Sequence, residues 1–432
     1  MPTFPKHEAY QDTHEDWLGE IPKHWQLLRT KNIFRLICEP APENNDEELL
    51  SVYSEIGVKP RRELEERGNK ASTTDGYWMV KKGDVIVNKL LAWMGAIGVS
   101  DYDGVTSPAY DILRAYKPID SKFYHYLFRN PICISKLKQH SKGIMEMRLR
   151  LYFDEFGNIK IPYPPVEEQK QIVEFLDRTT TEIDRAISQK QRLIELLQEQ
   201  KAILINQAVT KGLNPNVPMQ DSGIEWIGEI PKHWQVRRVK NISSLVTSGP
   251  RGWAEYYADN GSYFLQSGNL NDSMGIELDK ANRVQPPSGA EGRRTRLQNN
   301  DVLVCVTGAN TGRVALAKMK DEEVYINQHL CLIRPTKEIH STFLALSLYS
   351  TVGHIYFFLS QYGLKEGLGL DDVKNAVIVE PPLVEQNEIS RFLLRKIEEF
   401  DEAESKTLEQ IQYLNELKSV FIASAVTGKI KV

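Results

Sequence analysis

Asp16 to Ile33 reads DWLGEIPKHWQLLRTKNI, and Glu225 to Ile242 reads EWIGEIPKHWQVRRVKNI. Thirteen of these eighteen positions are identical at an offset of 209 residues, and most of the others are conservative. A self-match of this length marks an internal duplication. A second match follows in each half, where Pro164 to Gln169 (PPVEEQ) pairs with Pro381 to Gln386 (PPLVEQ), now at an offset of 217. It continues through Ile172 and Ile389, Phe175 and Phe392, Asp184 and Asp401, and Leu197 and Leu414. It ends at Ala208-Val209-Thr210 against Ala425-Val426-Thr427. Because the offset changes between the two matches, the material between them differs in length. The chain is a tandem duplication whose outer framework is kept and whose interiors have diverged.

After each Pro-Pro the apolar pattern becomes helical. Ile172, Leu176, Thr179, Ile183, Ala186, Lys190, Leu193, Leu197 and Leu204 alternate spacings of four and three, and Ile389, Leu393, Lys396, Phe400, Ala403, Thr407, Gln410, Leu414, Leu417 and Phe421 do the same. This is a heptad seam with polar interruptions. Gly212 and Gly428, beside Lys211 and Lys429, stand where helix C-caps belong. Each helix is expected to run about 45 residues, or roughly 65–70 Å. Such a stripe needs a partner, and the other copy is the economical one. The linker Leu213 to Gly223, with Pro215 and Pro218, returns the chain to a second globular domain.

The interiors, about 34–160 and 243–378, read as mixed α/β. Asp84-Val85-Ile86-Val87 matches Asp301-Val302-Leu303-Val304, and Tyr110 to Arg114 matches Leu330 to Arg334, as pairs of strands. The loops around them do not match, and a shared scaffold with unshared loops presents two different recognition surfaces. The expected architecture is α/β: two mixed α/β domains joined by two long antiparallel coiled-coil helices, a tandem repeat in a pseudo-twofold arrangement. The boundaries are 1–165 for the first domain, 166–211 for its helix and 212–224 for the linker. The second domain takes 225–382 and its helix 383–432.

Composition sets outer limits. The chain has 432 residues, is 41% hydrophobic and 26% charged, and carries 54 Lys and Arg against 58 Asp and Glu. These are the proportions of a soluble globular protein. A net charge of −4 runs against phosphate binding, so any DNA contact requires a local basic face or a partner that supplies cations. The N-terminal residues are polar, without the apolar core of a secretion signal. The uncharged run from Ile339 to Leu364 is broken by Ser341, Thr342, Ser347, Ser350, Thr351, His354, Ser360 and Gln361, which predicts a buried helix and not a membrane span. Cys38, Cys133, Cys305 and Cys331 form no CxxC pair and no ligand spacing with the nine histidines, so neither a disulfide framework nor a zinc site is expected, and a cytoplasmic location fits.

No enzyme signature survives inspection. Thr307 to Arg313 (TGANTGR) lacks the spacing and the Gly-Lys of a phosphate loop. Asp120-Ser121-Lys122 has a nuclease-like D-x-K spacing without a supporting acid, and Tyr163-Pro164-Pro165 lacks the preceding Asn or Asp of an amino-methyltransferase motif. The acid and Gln after each Pro-Pro suit a helix start instead. Trp17, Trp25, Trp226 and Trp234 belong to the repeated framework, so they read as core anchors and not as base-stacking platforms. Candidate contacts to DNA lie in the divergent interiors: Lys89, Trp93, Arg148 and Arg150 in the first, and Arg251, Trp253, Asn310, Arg313 and Lys365 in the second. Arg bridges guanine O6 and N7, Asn pairs with adenine, and Lys suits phosphates.

With both motifs present twice and in order, the chain from Asp16 to Val432 resembles the specificity subunits of type I restriction–modification enzymes. Those proteins carry two target-recognition domains, each opened by a segment like GEIPKHW and followed by a long spacer helix that starts at PP-x-x-E-Q. The resemblance implies that each domain reads one half of a bipartite, asymmetric site in double-stranded DNA. It implies that the helices dock two methyltransferase subunits, which use S-adenosylmethionine to methylate adenine. Restriction subunits would then bring ATP- and Mg-dependent translocation and cleavage. None of that chemistry would belong to this chain, which is expected to hold no cofactor and no metal. The competing reading is a coiled-coil scaffold that tethers proteins without touching DNA, which would not need divergent, loop-rich interiors.

Overall fold

A computed structural model describes residues 4–63, 74–143, 149–287, 289–361 and 367–432. The chain divides into two compact units, Met1–Gln191 with Leu408–Val432, and Arg192–Thr407.

The core of the first unit is a four-stranded antiparallel sheet in the order Phe34–Ile37, Tyr110–Ala115, Val85–Asn88, Ile97–Val99. Alternate residues of a strand point to opposite faces. Val85, Val87 and Leu113 therefore meet helix Ser121–Arg129, the helical framework and Trp25 on one side. Ile86 and Ile112 meet the hairpin Leu50–Tyr53 and Gly57–Pro60 on the other. A sheet buried on both faces explains the unbroken apolar run at Val85 to Val87. Asp120 is the N-cap of the helix Ser121–Arg129, accepting from Lys122 N at 2.9 Å, which gives the D-x-K triplet a structural role.

The second unit repeats this plan with the order Ser243–Ser248, Leu330–Pro335, Val302–Cys305, Val314–Leu316. Val302, Val304, Cys331 and Ile333 face one core, and Leu303, Cys305, Leu330 and Leu332 face the other. It adds a three-stranded sheet, Asn282–Val284, Tyr257–Leu265, Val324–Ile326, in which Tyr257–Leu265 and Val324–Ile326 run parallel.

The repeated motifs build the framework of each unit. His24 Nε2 bonds Glu168 Oε2 at 2.8 Å, and His233 Nε2 bonds Glu385 Oε1 at 2.8 Å, so GEIPKHW is tied to the Glu of PP-x-x-E-Q in both halves. The adjacent glutamines are buried. Gln169 accepts from Asp120 N at 2.9 Å and donates to Pro164 O at 2.8 Å, and Gln386 accepts from His340 N at 2.7 Å and donates to Pro381 O at 2.8 Å. Trp25 and Trp234 are 2% and 1% exposed, as core anchors should be.

The two long helices are Val166–Lys211 and Leu383–Val426, 46 and 44 residues. In the first unit Asp184 bonds Lys418 at 2.7 Å and Lys190 bonds Gln410. In the second, Gln198 bonds Glu404 at 2.7 Å and Lys201 bonds Asp401 at 2.6 Å. Rising numbers on one helix meet falling numbers on the other, so within each unit the helices pair antiparallel. Gly212 and Gly428 follow the helix ends with φ of 77° and 70°. The seam differs from the expected one by a single position in both helices: Thr180, Ile205 and Ile397 are buried in place of Thr179, Leu204 and Lys396, and Leu193 and Gln410 are exposed beside half-buried Ile194 and Ile411. A 3.6-residue helix drifts against a strict 3.5-residue repeat, and the shift of one position follows from that drift.

Among the described residues no single helix is long and apolar enough to cross a membrane. The run from Ile339 splits into Ser341–Tyr349 and Thr351–Leu359, bent by 62°. The first is buried through Phe343, Leu344, Leu346 and Leu348, whereas Phe358 in the second is 75% exposed. The expectation of one buried helix is thereby corrected to two, because Ser350 ends one and caps the next through Gly353 N. All four cysteines are free, and burial pushes the thiols of Cys133 and Cys331 up to about 12.

Candidate nucleic-acid interface

Four of the sequence-chosen residues lie in one topological position. Lys89 and Trp93 occupy the loop between Val85–Asn88 and Ile97–Val99, and Asn310 and Arg313 occupy the loop between Val302–Cys305 and Val314–Leu316. Both loops turn back on a glycine at positive φ, Gly95 at 88° and Gly312 at 89°, which side-chain-bearing residues rarely adopt. Loop length and the closing glycine are shared, whereas the path before it differs, with Leu91 at φ −126° and Gly308 at 90°, and the chemistry differs too. The first tip is Lys-Leu-Leu-Ala-Trp-Met over 89–94, and the second is Val-Thr-Gly-Ala-Asn-Thr over 306–311.

In the first unit the tip is apolar and open, with Leu90, Leu91 and Met94 at 43%, 44% and 52% exposure. It is held by its own backbone: Leu91 N donates to Asn88 O at 3.0 Å, and Met94 N to Leu91 O at 2.9 Å. Lys89 is less available than its sequence position suggests. Its ammonium donates to Pro108 O at 2.9 Å and pairs with Asp111 at 3.2 Å. Burial raises the Asp111 carboxyl, and Lys89 acts against that rise. The Trp93 indole donates to Leu90 O at 2.9 Å, and the Lys138 ammonium lies 5.5 Å from its ring centre. Arg150 is exposed, on a bridge with Lys142, and the next residue donates from Leu151 N to Lys89 O at 2.9 Å. Lys89, Trp93 and Arg150 therefore form one neighbourhood, while Arg148 lies outside the described residues.

Beside this tip runs a cleft of about 330 Å³, lined by Tyr53, Arg61, Asn88, Leu91, Met94 and Tyr110 among others. An amide, a guanidinium and two phenols beside apolar side chains match the polar edge and flat face of a base. Sequence reasoning missed these residues. Leu91 and Met94 sit in an apolar run that reads as core, and only their place between two strands marks them as a loop tip.

In the second unit the tip is polar and tethered. Asn310 Nδ2 donates to Ser267 O at 3.2 Å. Arg313 donates to Leu270 O at 2.8 Å and pairs with Asp272 at 2.7 Å. Arg251 is exposed on the turn before Trp253. Trp253 itself is a correction to the sequence reading. It is 3% exposed and packs with Phe264, Tyr325 and Tyr256, its ring 5.7 Å from that of Phe264 at 25°. No face of the indole is open to a base, because the added three-stranded sheet closes over it. The short helix Ala290–Thr295 covers the cluster, with Gly292 near the indole, and presents exposed Arg293 and Arg294. The run RRTR over 293–296 was the available signal for that basic surface. Lys365 lies outside the described residues.

Comparison with known proteins agrees with this geometry. Residues 22–196 and 231–413 match the family described as type I restriction modification DNA specificity domain. The chain is 24% identical to the type I restriction enzyme MjaVIII specificity subunit of Methanocaldococcus jannaschii, over 99% of this chain and 97% of that one. It is 25% identical to the type I restriction enzyme EcoBI specificity subunit of Escherichia coli, over 82% and 75%. Its fold is similar to a chain solved in a study of assembly and conformational transition of the type I R-M system, with a TM-score of 0.71, 18% identity and coverage of 94% and 98%. It is also similar to the HsdS subunit from Thermoanaerobacter tengcongensis, with a TM-score of 0.56, 18% identity and the same coverage. With both halves of the chain matched by the family model, this protein belongs to the family of type I restriction modification DNA specificity domains.

Proposed function

We propose that each unit reads one half of a bipartite, asymmetric site in double-stranded DNA, with the hairpin tips at 89–94 and 306–311 at the centre of each reading surface. The chain is a non-catalytic specificity subunit by family, so its task is recognition. The observation that carries the reading is the pair of tips: two hairpin loops of equal length between corresponding strands, each closed by a glycine at positive φ, bear an apolar surface in one and a polar surface in the other. Apolar side chains suit the thymine methyl group, whereas a polar tip suits hydrogen bonds to base edges. Arg150 beside the first tip, and Arg251, Arg293 and Arg294 around the Trp253 cluster of the second unit, are exposed cations that supply phosphate contacts the net charge does not suggest. Lys89, Trp93, Asn310 and Arg313 support the tips from within.

The two long helices act as an antiparallel coiled coil in a pseudo-twofold arrangement and dock two methyltransferase subunits, to which restriction subunits add. Their pairing within each unit and the exposed Leu193, Leu196, Leu408 and Tyr413 support this. S-adenosylmethionine, ATP and Mg belong to those partners. The segmentation 1–165, 166–211, 212–224, 225–382 and 383–432 divides recognition from docking, in a protein acting in the cytoplasm.

Methylated adenines should be mapped across the genome of a host making this chain with its methyltransferase subunit. One split motif, present only with this chain, is expected. Exchanging residues 243–378 for the interior of another such subunit should change one half of that motif. A change in both halves would defeat the two-reader assignment.

A further inference from the structure

We propose that His7, His24 and Glu168 bind a divalent ion of the zinc class. His24 and Glu168 alone are framework, because His233 and Glu385 repeat their bond at the same 2.8 Å. The first unit differs in what surrounds the pair. In the second unit the Trp234 indole donates to Glu385 Oε2 at 3.1 Å. In the first, the equivalent Trp25 nitrogen is buried without a hydrogen-bond partner, and the free oxygen of Glu168 faces His7 instead. His7 Nε2 stands 3.8 Å from Glu168 Oε1, too far for a hydrogen bond. Two ligands bonded to one tetrahedral zinc at about 2.0–2.2 Å lie about 3.3–3.6 Å apart, so His7 and Glu168 need to close by a few tenths of an ångström while His24 and Glu168, at 2.8 Å, open by about 0.5–0.8 Å to admit the ion.

The three donor atoms all lie within 4.8 Å of one another. The His7 side chain is 8% exposed, and its ring also hydrogen-bonds the main chain at Ile430. Such an outer contact is what orients a metal-binding imidazole. A cavity of about 630 Å³ opens beside the triad and leaves room for water at a fourth position. Two imidazoles and one carboxylate with an open position are a zinc donor set, and imidazole also suits nickel and copper. No sequence spacing announces the site, since its ligands come from three separate segments.

One site per chain is expected. Lys23 N donates to Ala9 O and Lys232 N to Pro218 O, so the residue two places earlier is His7 in one half and Asn216 in the other. The ion would fasten the segment around His7 to GEIPKHW and to the start of the first long helix. Lys431 N donates to Pro5 O at 2.9 Å in the same place, so the stretch that follows the second helix is fastened with them.

The full chain, stripped with a chelator, should be titrated with Zn²⁺ by calorimetry and with Co²⁺ by visible absorption. The expected result is one ion per chain and a zinc-dependent rise in Tm. His7→Asn, which copies the second half, should weaken binding at least roughly tenfold and abolish the Tm rise. Absence of saturable binding, or unchanged binding by His7→Asn, overturns the proposal. Should circular dichroism show that His7→Asn does not fold, Glu168→Gln keeps an acceptor for His24 and is held to the same two outcomes.

Discussion

Arg114 grips the buried Asp84 through two parallel bonds, Nε to Oδ1 at 2.8 Å and Nη2 to Oδ2 at 2.7 Å. Arg334 holds Asp301 in the same way at 2.9 and 2.7 Å. Each Asp sits just before the first strand of the central hairpin, and each Arg lies on the neighbouring strand. A bidentate fork has one good geometry, so the pair sets the strand register that aims the tip. The guanidinium of Arg114 is held above its ordinary range by the Asp84 hydrogen bonds.

Removing Arg114 should therefore cost more than a surface charge does. Asp84 is 2% exposed and would be left as an unpaired buried carboxylate. Arg114→Met is expected to lower stability by about 3 kcal/mol, measured as the shift in a urea transition. Arg114→Lys keeps the charge but not the fork, and should recover only part of the loss.

The buried glutamines make a paired prediction. Gln169→Leu strands Asp120 N and Pro164 O, and Gln386→Leu strands His340 N and Pro381 O. Each substitution should cost about 2–4 kcal/mol, since a buried polar group without a partner costs about 1–3 kcal/mol. Thermal unfolding should show similar losses for both, because the two sites are copies. A loss at one site and none at the other would contradict a shared framework role.

His125 should make the first unit acid-sensitive. It is half-buried on helix Ser121–Arg129, and its Nδ1 accepts from Val99 N at 3.3 Å, so the ring is neutral. Burial, with the Arg129 charge adding to it, lowers its pKa from 6.5 to about 4. A folded-state value below the unfolded one gives stability that is full above pH 6.5 and drains away as pH falls toward 4. The whole loss is about 3 kcal/mol. Other histidines are lowered too, so the test is a difference: His125→Gln should flatten the stability–pH curve between pH 7.5 and 4.5 relative to wild type.

Trp253 and Arg251 lie two residues apart and should behave oppositely. Trp253→Ala removes a core side chain and is expected to cost about 3–5 kcal/mol. Arg251→Ala should leave Tm nearly unchanged. In a DNA titration over a salt series it should reduce the slope of log K against log salt by about 1, as loss of one phosphate contact does.

Much of this was legible in the residues. The duplication at Asp16–Ile33 and Glu225–Ile242, the helices behind each Pro-Pro and the two strand pairs all follow from local periodicity and repetition, and the family resemblance rests on the two repeated motifs themselves. Those signals survive in sequence because helix seams and buried strands demand apolar residues at regular intervals. Contact chemistry has no such period. Only the tertiary structure decided that Trp253 is core, because a sheet formed by residues up to about 70 positions away closes over it. Only it tied Lys89 to Asp111 and Arg313 to Asp272, and turned Leu91 and Met94 outward at a tip. Whether a side chain is free or bound depends on which distant segment the fold brings within about 3 Å of it, and that is a property of packing that no single stretch of sequence contains.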